Sequence, residues 1–522
     1  MPAATSSVLA PGPVQPAAPS GRPTAPRLRL LRPEPARRAR RAQGAGRLAD
    51  QLGVLTAACP PELVDAVLAE CGRVEKRRRR LPARLVVYSV LAMCLFPWAS
   101  YEEMLRLLSS GWRLPPDWRV PNKSSISRGR ERLGWQVMAR LFAAIARPLA
   151  GENTSGAFWR GLRLMAADST VLEVPDTPAN EAAFGGQTGA GGVRVGHPQM
   201  RVAGLAECGT HALIDAKFGA YQDAEVGLVV KLARSLQPDM LVMVDRGLIA
   251  VELWREFTKA GAHLLWRAQE GMATRVLRHL PDGSYLAQLR PSSKRRWPTG
   301  QRPQPVTVRV IEYVLEGCDT VYRLLTDLLD PVAAPAEELA ALYHQRWEIE
   351  GIFKELKTHQ RGPDAILRSR SPDGARQEVW AHLVVHYATR QLIHQASATT
   401  EHRDPDRISF TKAVNVVRRS VIAGTAFSPS AAPPSHGIGS TRTHRTACHE
   451  PAPGPAMPAR GQASPVPLSR PAARITLVQS STRATAHPPL RPSRPLMQRH
   501  CPRGGGRTGG ILGRHGPVRN PR

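Results

Sequence analysis

Between residues 46 and 150, apolar positions recur at intervals of three and four. PPELVDAVLAECG, PARLVVYSVLAMCLF, SYEEMLRLLSSG and WQVMARLFAAIARPLA each carry that period, and each predicts a helix with a buried stripe. From about residue 160 the period breaks. LRLMAADSTVLEV has no helical repeat and reads as a strand, and HPQMRVAGLAECGTHALIDAKFGA reads as two strands around a turn at Cys208–Gly209. VGLVVKLARSL is a helix. MLVMV, residues 240–244, is the short continuous apolar run of a strand buried on both faces. AVELWREFTKAG is a helix and HLLWRAQ a strand. VTVRVIEYVL and DTVYRLLTDLL carry strands to about 327, and helices follow at 335–358 and in RQEVWAHLVVHYATRQLIHQA. Three strands, helix, strand, helix, strand, a β-rich segment and helices make a mixed α/β domain.

Composition divides the chain further. Of 522 residues, 42% are apolar, enough to fill a core, and the net charge is +30. The charge points to a polyanion, most simply nucleic acid, but it is unevenly spread. Residues 1–50 carry nine Arg, no Lys and two acids, and residues 424–522 carry fourteen Arg, no Lys and one acid. The middle is much less basic. Residues 1–45 are Pro- and Arg-rich and predict a disordered extension. Residues 424–522 predict a disordered Arg/Pro-rich tail. Arg without Lys over that length is what high-GC DNA read in the wrong frame gives, and the alternative is a genuine basic tail. Residues 46–155 then form a helical domain and 156–423 the α/β domain, with its β-rich insertion at about 271–328. The seven cysteines include no CxxC pair and no zinc-type spacing, which fits a reduced, cytoplasmic protein. LVVYSVLAMCLFPWA is too short to span a bilayer, so no membrane segment is expected.

The candidate chemistry lies in three places. PNKSSISRGRERLG offers Ser124 or Ser125 as an N-cap, then Arg128, Arg130 and Arg132 beside Lys123. That shape suits phosphate or major-groove contact; the bland reading is a solvated basic face. Asp168 lies on the first long strand and Asp245 directly follows MLVMV, where open α/β sheets collect reactive groups. Arg246 could instead pair Asp245 structurally. The third place is YHQRWEIEGIFKELK, residues 343–357. At about 100° per residue, Tyr343, Arg346, Glu350 and Lys357 share one helix face beside an apolar stripe. Glu350 could converge with the two aspartates as oxygen ligands for Mg²⁺. Two such ions would stabilise an in-line displacement at phosphorus. Arg346 and Lys357 can hold phosphates, and Tyr343 can bond one. Glu348 and Glu355 point away from this row. Asp215, Asp223 and Glu225 read as turn or surface residues, and Trp266 as core. Trp297 beside Lys294, Arg295 and Arg296 has a shape suited to stacking on an unpaired base.

The full spacing of Tyr343, Arg346, Glu350 and Lys357, with Asp168 in ADST and Asp245 in VDRG, resembles the DDE transposases of bacterial insertion sequences. The group is that of insertion sequence 4, with its YREK signature. The likeness covers about 46–423. It implies a ribonuclease-H-like catalytic core with a β-rich insertion, behind a helical N-terminal domain that binds terminal inverted repeats. It implies catalysis by Asp168, Asp245 and Glu350 with Mg²⁺ (or Mn²⁺), two ions, cutting double-stranded DNA at transposon ends and joining it to target. It also implies a homodimer on DNA and a cytoplasmic, nucleoid-associated protein. The rival readings are a nuclease of the same fold without strand transfer and a non-catalytic DNA-binding remnant. The family's last helix would continue past residue 425, and here that continuation is missing.

Overall fold

In the computed structural model of the chain, the described residues are 54–77, 81–109, 119–192, 194–248, 250–268, 272, 275–291, 302–315, 320–344, 348–362, 366–398, 404–423 and 475–477. The N-terminal extension, most of the C-terminal tail and Lys294–Trp297 lie outside them. Helices come first: α1 (Val54–Ala58), α2 (Pro61–Glu70), α3 (Ala83–Leu95), α4 (Tyr101–Ser109), α5 (Lys123–Leu133) and α6 (Trp135–Ile145). α3 is apolar all round and almost wholly buried, as a central helix must be. Pro61 opens α2 at its first position, where its missing N–H costs nothing.

The sheet comes next. β1 (Phe158–Trp159) and β2 (Leu162–Glu173) precede a short α7 (Pro178–Phe184) and a small hairpin, β3 (Gln187–Thr188) and β4 (Arg194–Val195). Then come β5 (Gln199–Glu207), β6 (Leu213–Ala220), α8 (Glu225–Val229), β7 (Met240–Val244), α9 (Val251–Lys259) and β8 (His263–Arg267). β5 is antiparallel to β2 and β6 to β5, whereas β7 and β8 run parallel to β2. The order is β6-β5-β2-β7-β8. At the β5–β6 turn Gly209 has φ 76°, and a Cβ there would meet the Ser155 carbonyl at 2.5 Å, so only glycine fits.

The β-rich segment is β9 (Arg275–His279), β10 (Tyr285–Leu289), β11 (Val306–Leu315) and β12 (Tyr322–Thr326). It forms no separate layer. β12 pairs with β8, so the insertion extends the same sheet as β12-β11-β10-β9. Buried Arg309 ties the insertion to the helix beyond it. Its guanidinium bonds Asp282, Ser284 Oγ at 2.8 Å and the Leu328 carbonyl at 3.2 Å, while Asp282 accepts from the Ala336 amide at 3.2 Å.

Ala336 begins α10 (Ala336–His344), which leads to α11 (Glu348–Lys354), α12 (Pro372–Ser397) and α13 (Phe410–Ala423). α12 packs on α3, α6 and α13. The helices before and after the sheet therefore share one large core on one sheet face, while α8 and α9 cover the other. A last strand, β13 (Ile475–Leu477), pairs with the end of β11, Leu477 opposite Tyr313. This departs from the expected unstructured tail. β10 pairs only Val306–Val310 of β11, which leaves the edge of Tyr313–Leu315 open for another strand.

Candidate active site

β2 and β7 are parallel neighbours, with Ala167 paired to Val244. The next residue on each strand is Asp168 and Asp245. The register thus sets the two acids side by side, on strands spaced about 4.8 Å apart. Alternation also puts them on one face. Leu164 and Ala166 of β2, and Leu241 and Met243 of β7, belong to the core of the large helical face. Asp168 and Asp245 continue those two series at period two. Both are half-buried. Asp168 Oδ1 accepts from the Ser169 amide at 2.7 Å, and Asp245 Oδ1 from the Arg246 amide at 2.6 Å.

Helices α10 and α11 lie over that rung. The hydroxyl of Tyr343 donates to the Val244 carbonyl at 3.4 Å, one residue before Asp245. Tyr343 is buried, so where the sequence suggested a phosphate contact the structure shows a clamp between α10 and β7. Phe353 sits over Gly204, which pairs with Asp168; a Cβ on Gly204 would stand 3.4 Å from Phe353 Cζ. Glu350 is one turn before Phe353 on α11, and so on the helix that covers Asp168. Its side chain, and Arg346 altogether, lie outside the described residues. Residues 345–347 lie outside the described residues, and the helix expected over 335–358 loses its regular period at its C-terminal end. α11 passes into a π-helical turn, Glu355–Gln360, of wider pitch than the 100° wheel assumed. Lys357 falls within this turn and is half-buried. Burial lowers its ammonium pKa, Arg361 lowers it further, and Glu173 at the end of β2 opposes both.

The basic helix α5 divides. Lys123 and Arg128 are exposed, as DNA-facing groups would be. Arg130 is not available to DNA. It is buried, and its guanidinium donates to Gln377 Oε1 at 2.9 Å, Tyr101 Oη at 2.7 Å and Ser369 Oγ at 2.8 Å. Arg132 is partly buried and donates to the Leu81 carbonyl at 3.2 Å. The N-cap is Asn122, whose side chain accepts from the Ser125 amide at 2.9 Å, rather than either serine. Asp215, expected at the surface, is buried on β6 and paired with Arg234 at 2.7 Å. Trp266 is core as expected, edge-on to Trp254.

Two family models match the chain: an insertion element 4 transposase N-terminal region over residues 49–143, and a transposase DDE domain over 159–387. The transposase InsG for insertion sequence element IS4 of Escherichia coli (strain K12) is 30% identical over 377 residues, covering 72% of this chain and 84% of that protein. The chain belongs to the insertion-sequence-4 family of DDE transposases. It is thereby a metal-dependent enzyme that cleaves DNA. The putative transposase InsZ of the same organism is 23% identical over 207 residues, covering 40% of this transposase and 68% of its own length. A piggyBac transposase synaptic complex with hairpin DNA overlaps 79% of this chain and 88% of its own, at a TM-score of 0.37 and 10% identity, too distant to argue from. No helix among the described residues is long and apolar enough to cross a membrane.

The transposase offers a divalent ion the oxygen donors such an ion prefers. Two half-buried carboxylates stand side by side, Asp168 within β2 and Asp245 just past the end of β7, a donor set suited to a hard cation. Among the described residues no cluster of three or more His, Cys, Asp or Glu forms a metal site.

Sequence reasoning missed what holds the π-turn. Glu355 is buried beneath it. Its carboxylate takes Arg390 Nε at 3.0 Å and His386 Nε2 at 3.1 Å, with His211 Nδ1 at 3.5 Å; His211 Nε2 is 3.3 Å from Asp406. His211 reaches this cluster from the β5–β6 turn with φ 57°, a conformation uncommon outside glycine. Burial alone would push the Glu355 carboxyl up. Arg390, with hydrogen bonds from His211 and His386, outweighs burial and holds it well below the usual carboxylate range. The only sequence signal was an acid on a helix side facing neither the solvent nor the YREK row.

Proposed function

We propose that this transposase binds the terminal inverted repeats of its element, cuts the DNA there and joins the freed 3′-hydroxyl end to target DNA. Asp168, Asp245 and Glu350 are its catalytic acids and metal ligands. The observation that carries this reading is the β2–β7 register, which places Asp168 beside Asp245 under the helix that bears Glu350. Three antiparallel strands followed by two parallel ones, with helices on both faces, support a ribonuclease-H-like core. Mg²⁺ or Mn²⁺, as a pair of ions, would supply Lewis-acid stabilisation of the attacking and leaving oxygens. Asp168 holds its share of the site from within β2 and Asp245 from the end of β7. Tyr343 locks α10 to the carbonyl before Asp245, and so fixes how the helical layer approaches the acids. Arg346 and Lys357 hold the phosphates of the cut strand, and Lys123 and Arg128 contact DNA from the N-terminal helices. Residues 46–155 are the end-binding region, and the active form is a homodimer on paired ends.

The test is cleavage of a labelled transposon-end duplex with Mg²⁺, comparing the parent with Asp168→Asn, Asp245→Asn and Glu350→Gln. Each variant should bind the duplex yet lose cleavage by more than the roughly 10–100-fold that loss of an outer partner costs a metal site. Cleavage within tenfold of the parent in any one of them removes that residue from the ligand set. Strand joining of the cut product separates the transposase reading from that of a nuclease.

A further inference from the structure

The loop that leaves α2 and the C-terminal half of α5 enclose an open cleft of about 320 Å³. Arg73, Lys76 and Arg77 line it from the loop, and Arg132 lines it from α5. The only acid in its wall among the described residues is Glu75, 3.9 Å from Arg132 across the cleft. Four cations face one acid, and the three from the loop are exposed. In the sequence Arg77 is followed by Arg78, Arg79 and Arg80, so the chain leaves the cleft still basic. The positive surface also continues along α5. Arg128, also exposed, lies four residues before Arg132 on the same side of the helix.

The floor is built to stay open. Gly129 and Ala83 line it, and a Cβ on Gly129 would stand 3.2 Å from Val86 Cγ2. α5 therefore lies tight on α3, and neither Gly129 nor Ala83 brings a long side chain into the space. The cleft is made by the N-terminal helices and their loops alone, and neither Asp168 nor Asp245 lines it.

We propose that this cleft seats the phosphate backbone of duplex DNA. The proposal rests on the reading of the chain as an end-binding transposase and names a surface that does the holding. About half to two-thirds of protein–DNA hydrogen bonds go to phosphate and sugar, with Lys and Arg prominent among the donors, and such contacts carry no sequence information. The cleft therefore contributes affinity and register, and the sequence of the end is read elsewhere.

The experiment uses the full chain carrying Lys76→Ala with Arg77→Ala, two exposed positions. Binding to an end duplex and to an unrelated duplex is measured between roughly 50 and 200 mM salt. The control is Arg255→Ala with Lys259→Ala, which removes the same charge from exposed positions of α9 on the opposite sheet face. Each phosphate contact adds about 0.9 to the slope of log affinity against log salt. The cleft variant should lose about 1.8 from that slope on both duplexes alike, with the control unchanged. A slope equal to that of the control overturns the cleft assignment and leaves end binding standing. Loss on the end duplex alone overturns it too, since that is base readout. If the unaltered chain binds neither duplex, the end-binding reading falls and the cleft falls with it.

Discussion

Arg130 shows how one side chain can be misread from its neighbours. It sits among Lys123, Arg128 and Arg132, and composition groups the four together. Helix geometry separates them, because two residues advance about 200° around the axis. Arg130 lies four residues after buried Ile126 and three before buried Leu133, on the inner stripe of α5. That placement was present in the sequence, but residue type outweighed it. Buried, the guanidinium bonds Gln377 on α12 and Ser369 just before it, and Gln377 Nε2 returns bonds to the carbonyls of Arg130 at 3.0 Å and Gly134 at 2.9 Å. It rivets the N-terminal helices to the C-terminal ones. Arg130→Ala should cost about 2–4 kcal/mol in urea denaturation, because partners inside the core lose a charged donor. Arg128→Ala should stay within about 0.5 kcal/mol and weaken DNA binding instead. Equal stability losses at the two positions would contradict this division.

At the scale of the element, the YREK spacing identified the right stretch of chain but assumed one regular helix. In the structure α11 runs into a π-turn, and a wide turn changes the phase of everything after it. Periodicity cannot reveal this, because Glu355, at the start of the π-turn, meets Arg390, His386 and His211 from distant parts of the chain. Asp168 and Asp245 were legible for the opposite reason: each is marked locally, by a run of buried strand beside it. The Glu355 cluster carries a pH signature. Its carboxyl is held well below the usual range, so the folded state binds that proton less readily than the unfolded chain. The stabilisation is present above the unfolded carboxyl pKa of about 4.3, and is lost as pH falls from there through the depressed folded value. Glu355→Gln leaves the Arg390 guanidinium buried without its counter-charge, which should cost roughly 3–5 kcal/mol near pH 7. It should also flatten the acid limb below about pH 4.5, where the parent loses this contribution and the variant has none to lose. Parallel curves for parent and variant from pH 7 to pH 3 would remove Glu355 as the source.

Across the whole molecule, the long strands and helices up to β8 were legible, since buried strands and amphipathic helices announce themselves, whereas the short β1, α7 and the β3–β4 hairpin were not read. The insertion's destination was not. Its strands could have made a separate layer, and only the pairing of β12 with β8 shows that they widen the main sheet. The same holds for β13, where ITL is too short to stand out in an Arg/Pro-rich tail, and its strand exists because β11 outruns β10. That contact is small. Ile475 and Leu477 are partly buried against the core and Thr476 is exposed. Full burial of such an aliphatic side chain contributes about 1.5–3 kcal/mol, and half-burial of two roughly the same in total. Ordering three residues costs about 1–2 kcal/mol each, at least as much as this burial returns, so the strand adds no net stability through its own burial. A chain ending at Ala423 should therefore keep its denaturation midpoint to within about 1 kcal/mol, and keep Mg²⁺-dependent cleavage of the end duplex. It also loses fourteen arginines and one acid, so its non-specific DNA affinity should fall, most visibly at low salt. Loss of cleavage with the fold intact would mean instead that the tail contributes to the bound state through contacts that β13 alone does not make.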